Sequence, residues 1–176
     1  MIFYTWWFGK ESPIYEKSIA ENEKNLLEWG HKFEVIRDEK YDGDEKAAAV
    51  LKDIAGLKKL ASEECGIIDA DMILTEDFAK YDFEKPGAYL ILEVGVPSIA
   101  LNVSVGKEGQ EWFAKVLLEK ERRGIQNVWC WSNKIYSNLA HSGLSEPFLI
   151  PENCYIHDRI QSAPAEMVSR ERYKYQ

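Results

Sequence analysis

The sequence predicts an α/β protein with a mostly parallel central sheet flanked by helices. Strand-like and helix-like segments alternate from residue 2 to residue 74, a pattern that builds parallel sheets. Glycines stand where the first two helices must end, at Gly30 and Gly66. An apolar run, Gly66-Ile67-Ile68-Asp69-Ala70-Asp71-Met72-Ile73-Leu74, reads as a buried strand that carries two aspartates.

Ile2 to Phe8 reads as the first strand, ending at Gly9. Ser12-Pro13 supplies a cap and a proline for the first helical position, and Tyr15, Ile19 and Leu26 fall near one face of the helix that follows. Lys32 to Arg37 alternates as a second strand with Phe33 and Val35 inward, and Asp42-Gly43-Asp44 makes a turn. From Glu45 a long helix carries Val50, Ile54, Leu57 and Ala61 as one apolar stripe. Two strand-like runs, Ala88 to Glu93 and Ile99 to Val105, follow, separated by Gly95 and Pro97. Lys107 to Arg123 is an amphipathic helix bearing Trp112, Phe113, Val116 and Leu117, closed by Gly124. Val128 to Trp131 reads as a short strand, Ser132 to Ala140 as a short helix, and Phe148 to Ile150 and Cys154 to His157 as extended segments. Residues 1–160 are expected to form one domain, and 161–176 a polar tail.

Composition narrows the function classes. Hydrophobic residues make up 45% and charged residues 30% of the 176, an ordinary globular balance. A net charge of −8 argues against a nucleic-acid binder. The longest apolar stretches are too short to span a bilayer, and no signal peptide is expected before the first strand. Cys65, Cys130 and Cys154 are odd in number and widely spaced, as in a reduced, cytoplasmic protein. Aromatics cluster at Tyr4-Thr5-Trp6-Trp7-Phe8 and Trp129-Cys130-Trp131-Ser132-Asn133, where they serve the core or line a sugar or base pocket.

Asp69 and Asp71 carry the functional signal. Carboxylates inside an apolar run are rare unless paired or bound to a cation. One residue apart on a strand they would share a face, a suitable start for a hard divalent ion that leaves room for phosphate oxygens. Asp42-Gly43-Asp44 has the same spacing but lies among Lys40, Tyr41, Glu45 and Lys46, and reads as a solvated turn.

With these landmarks the chain resembles the nucleotide-sugar-dependent glycosyltransferases of the GT-A (Rossmann-like) fold. The likeness is to the D-x-D group of α-mannosyltransferases, α-galactosyltransferases and capsular or lipopolysaccharide sugar transferases. Trp7-Phe8-Gly9 matches the end of their first strand, Ile36-Arg37-Asp38-Glu39 the acidic end of their second, and Leu101-Asn102-Val103 their later strand with an asparagine. Cys65-Gly66 stands where those proteins have Gly-Gly, and the segment from there to Asp69 is one residue shorter.

The resemblance implies a Mn²⁺ or Mg²⁺ ion, with Asp71 as direct ligand, Asp69 reaching the ribose or the ion through water, and His157 as imidazole ligand. It implies a donor site built from Trp6, Trp7, Phe8, Asp38, Lys52, Lys58 and Asp69, with Lys59 a further basic candidate. Asp38 is equally suited to capping a turn, and some of Lys52, Asp53, Lys58 and Lys59 belong to a solvated helix face. Asn102 near the anomeric carbon, and Asp158 or Glu93 at the acceptor hydroxyl, complete the catalytic set with Asp71. His31 and His141 read as structural or solvated. The implied activity is hexose transfer, with retention, from a UDP- or GDP-sugar to an unknown glycan, lipid-linked or protein acceptor. The alternatives are a degenerate domain of this fold that only binds, and a haloacid-dehalogenase-type phosphatase. The latter fits poorly, because Ile73 replaces its usual Thr or Val and Asp158 is the only aspartate after Asp82.

Overall fold

In the computed structural model, which describes residues 1–9, 13–43, 45–93, 96–123 and 146–157, the opening strand-helix-strand unit forms as the alternation predicts. Strand β1 spans Ile2–Phe8, helix α1 Pro13–Glu28 and strand β2 Lys32–Asp38. β1 and β2 are parallel, from Ile2 opposite Lys32 to Phe8 opposite Asp38. Between α1 and β2 the chain turns at Gly30, whose φ of 79° is open to a residue without Cβ. There Gly30 N donates to Leu27 O at 3.1 Å and His31 N to Leu26 O at 2.8 Å, satisfying helix-end carbonyls.

Helix α2 (Glu45–Ser62) returns the chain to β3 (Cys65–Ile68), which lies parallel to β1 on its other side. Among the described positions of α2, Val50, Asp53, Gly56, Leu57 and Leu60 are buried. The helix is therefore rotated slightly from the stripe read in the sequence: Ile54 and Ala61 are only half-buried, and an aspartate takes a core position. Gly66 is required by packing, since a Cβ there would stand 2.1 Å from the Phe3 ring.

After β3 the structure departs from the single strand expected over 66–74. The chain turns through Asp69-Ala70-Asp71, with Met72 N donating to Asp69 O at 3.1 Å, and resumes as β4 (Met72–Leu74). A short helix α3 (Glu76–Ala79) follows, then β5 (Gly87–Glu93), β6 (Val96–Val105) and α4 (Gly106–Arg123). Beyond these lie β7 (Phe148–Leu149), a 3₁₀ turn (Glu152–Cys154) and β8 (Tyr155–His157). The main sheet has six strands in the order β2-β1-β3-β6-β5-β7, and β4 and β8 form a second ladder. β6 is antiparallel to both its neighbours, while β7 is parallel to β5, so the sheet is mostly parallel.

Two apolar layers hold the sheet. On one face Tyr4, Trp6, Ile67 and Leu90 pack against Leu57 and Leu60 of α2 and Trp112, Phe113 and Val116 of α4. On the other, Phe3, Leu101, Val103 and Ile91 meet Leu26 of α1, Met72 and Leu74 of β4, and Phe78. Each such side chain contributes roughly 1.5–3 kcal/mol when fully buried. Cys65 and Cys154 are buried thiols, and burial pushes Cys65 up to about 12. Among the described residues no helix is long and apolar enough to cross a membrane. The Ser12 cap, the segments expected at 128–131 and 132–140, the aromatic cluster 129–133, Cys130, His141, Asp158 and the tail 161–176 lie outside the described residues.

Candidate functional site

The three parallel strands β2, β1 and β3 end at one edge of the sheet, the edge where ligands bind in folds of this kind. Asp69 leaves β3 there, its backbone N donating to Ala100 O at 2.7 Å. The Asp69-Ala70-Asp71 turn then delivers the chain to β4, whose Met72 lies directly opposite His157 in the β4–β8 ladder. Strand pairing thus brings residues 71 and 157 together across the length of the chain. His157 Nε2 lies 3.2 Å from Asp71 Oδ1, and ligand atoms of Asp69, Asp71 and His157 all lie within 4.8 Å of one another. Asp71 and His157 are each only 9% exposed, while Asp69 is half-buried. The two aspartates share a site because the backbone turns, not because they alternate along a strand.

The far edge of β4 is held by a side chain. Asn22 of α1 donates Nδ2 to Met72 O at 2.6 Å and accepts from Leu74 N at 2.9 Å on Oδ1, standing in for a neighbouring strand. Asn25 Nδ2 adds a bond to Leu74 O at 3.2 Å. The sequence reading missed Asn22, although it sits in the apolar stripe between Ile19 and Leu26, three residues after one and four before the other.

A ladder of charges runs inward from Asp69. The Lys52 ammonium of α2 is hydrogen-bonded to Asp69 Oδ1 and lies 3.7 Å from Asp53 Oδ1. Asp53 Oδ2 accepts from Lys120 Nζ of α4 at 3.3 Å, and both these side chains are buried. Burial disfavours the Lys52 cation, but Asp69, Asp53 and Asp71 outweigh it and raise its pKa above the usual lysine value. Burial raises the Asp69 carboxyl and lowers the Lys120 ammonium, against the attraction of Lys52 and Asp53 respectively. Asp53, read as a candidate for the solvated face, is therefore a core residue. Lys120 was missed, yet it continues the stripe of Phe113 and Val116 at helical spacing.

The other residues singled out in the sequence make other contacts. Trp6 is core, Trp7 packs against Tyr15 with centroids 4.6 Å apart, and Phe8 meets Tyr41 edge-on at 5.4 Å. Asp38 is exposed at the end of β2, where Oδ1 accepts from Lys40 N at 3.2 Å, so its side chain caps the turn. Lys58 is exposed, and Lys59 pairs with Glu63 at 2.8 Å. His31 packs against the Phe3 ring. Asn102 is wholly buried in β6, with no surface to offer a substrate. It holds a break in the β5–β6 pairing, where Leu90 faces Asn102 and Ile91 faces Ser98. Asn102 Nδ2 donates to Ser98 O at 3.0 Å across that break, and Ala100 within it supplies the carbonyl that fixes Asp69.

Two carboxylates and an imidazole form a donor set that suits Mn²⁺ or Mg²⁺, the nitrogen favouring the softer Mn²⁺. No protein-family model matches the chain, and no curated protein matches it. Among solved structures it is similar to a glycosyltransferase involved in the glycosylation of the major capsid of PBCV-1. The two share 12% identity at a TM-score of 0.63, over 98% of this chain and 98% of that one. It is also similar to the glycosyltransferase GlyE of Streptococcus pneumoniae TIGR4, with 11% identity and a TM-score of 0.43 over 99% of this chain and 49% of that one. A nucleoside-diphosphate-sugar pyrophosphorylase from Vibrio cholerae RC9 matches at 12% identity and a TM-score of 0.43, over 98% of this chain and 81% of that one. The first likeness shows the fold: the chain has the GT-A-like α/β architecture.

Proposed function

We propose that this chain is a metal-dependent glycosyltransferase that takes a hexose from a UDP- or GDP-sugar. The observation that most supports this reading is the pairing of Met72 with His157, which sets an imidazole beside Asp69 and Asp71 at the ligand-binding edge of the sheet. Asp69, Asp71 and His157 hold the Mn²⁺ or Mg²⁺ ion. When bound, such an ion compensates the charge of the departing diphosphate. Lys52 contributes a point charge to the same edge, suited to phosphate oxygens. Trp7, Phe8 and Asp38 border the edge at the ends of β1 and β2 and take the base and ribose. Asp158 follows His157 directly and serves the acceptor hydroxyl, and the cytoplasm is the proposed location. Retention of configuration rests on the likeness of the motifs.

The test is hydrolysis or transfer from UDP- and GDP-hexoses, with Mn²⁺ and with EDTA. Release of one nucleoside diphosphate that depends on metal supports the reading. Binding without any turnover assigns the site to a non-catalytic domain.

A further inference from the structure

Lys52 gives the acidic group a cation of its own. Asp69 and Asp71 bring two negative charges to the site, and the ammonium bonded to Asp69 Oδ1 offsets one of them. This lysine is largely enclosed at the inner end of the site. It is only 20% exposed, and Asp53 Oδ1 holds it from behind at 3.7 Å. Asp53 is anchored in turn by Lys120 at 3.3 Å, so a buried pair between two helices keeps the Lys52 ammonium close to the acidic group. A divalent ion entering beside Asp69 meets a like charge within a few ångströms, in a partly enclosed site where repulsion is poorly screened.

We propose that Lys52 is an internal counter-ion that keeps Asp69, Asp71 and His157 from holding a divalent cation tightly on their own, and that its ammonium turns from Asp69 to the phosphate oxygens of an arriving nucleoside diphosphate. Cation and nucleotide then bind as a pair, because the nucleotide supplies the negative charge that Lys52 takes away. The inference rests on the proposed function and adds to it an interdependence of the two ligands.

The experiment is calorimetric titration of Mn²⁺ alone, then of UDP and GDP with Mn²⁺, on the wild type, Lys52→Met and Lys52→Arg. Circular dichroism checks that each variant is folded. Asp53 keeps Lys120 as its partner in Lys52→Met, so that buried carboxylate is not left unpaired. Lys52→Met is expected to bind Mn²⁺ alone about tenfold more tightly than the wild type, and nucleotide with Mn²⁺ more weakly. Lys52→Arg, which keeps the charge, is expected to match the wild type for Mn²⁺ alone. If Lys52→Met binds Mn²⁺ alone no more tightly than the wild type, including where neither binds it without nucleotide, the counter-ion role is overturned and the proposed function stands. If no variant binds Mn²⁺ with or without nucleotide, both are overturned.

Discussion

Met72 and His157 face each other in the β4–β8 ladder, and this pairing, rather than the spacing of the two aspartates, completes the acidic group at the sheet edge. A three-residue strand cannot hold such a position by itself. It is held because α1 supplies Asn22 on one side while β8 pairs on the other, so the geometry of the candidate site depends on a helix packed with β4 on the same face of the sheet.

Asn22→Leu is expected to leave Met72 O and Leu74 N without their side-chain partner. An unsatisfied buried backbone group costs about 1–3 kcal/mol, so a loss of about 2 kcal/mol or more should be seen in urea denaturation. Mn²⁺ affinity in the presence of nucleotide should fall as well, because β4 carries the register that positions His157.

Lys120→Met is expected to destabilise the fold by about 3 kcal/mol, as it strands a buried carboxylate. Lys52 remains near Asp53 and keeps the cost at the lower end of the range for broken buried pairs. The double variant Lys120→Met with Asp53→Leu should recover most of the loss in denaturant midpoint. A single variant as stable as the wild type would contradict the pairing.

Glu16 and Arg37 tie α1 to β2 by two bonds of 2.6 and 2.9 Å. The hydrogen bond from Arg37 holds the Glu16 carboxyl below the usual glutamate range, so the folded state favours the carboxylate. Its contribution is complete above the unfolded glutamate pKa and is lost as pH falls through the lower folded value. Glu16→Gln should therefore flatten part of the acid side of the stability–pH curve, measured by thermal melts from neutral pH downward, and leave the alkaline side unchanged.

Much of the fold was legible because period and punctuation agree. Alternation marked β1, α1, β2 and α2, and Gly30 closed α1 where a left-handed residue was needed. Asp69-Ala70-Asp71 stood apart from Asp42-Gly43-Asp44 because apolar neighbours tie it to the sheet, whereas Asp42 and Gly43 are exposed. The turn at 69–71 was not legible, since Ile67-Ile68 and Ile73-Leu74 make one apolar run whichever sheet each end joins. The sequence passes over Asn22 and Lys120, and offers Asp53 to a solvated face, for a common reason. Each is a polar residue within an apolar helical stripe, and only the packing shows whether such a position is a flank or a buried partner. Asn102 was read as chemistry because of its place in a motif; its burial and its bond across the β5–β6 break give it a supporting part beneath Asp69.

In the proposed function Asp69, Asp71 and His157 bind a metal ion together with a nucleoside diphosphate. Calorimetric titration of UDP and of GDP, each with and without Mn²⁺, into the wild type and Asp71→Asn tests it most directly. One of the two nucleotides is expected to bind only with Mn²⁺, and Asp71→Asn, still folded, to lose that binding. Nucleotide binding that needs no metal, or that survives Asp71→Asn unchanged, would contradict it.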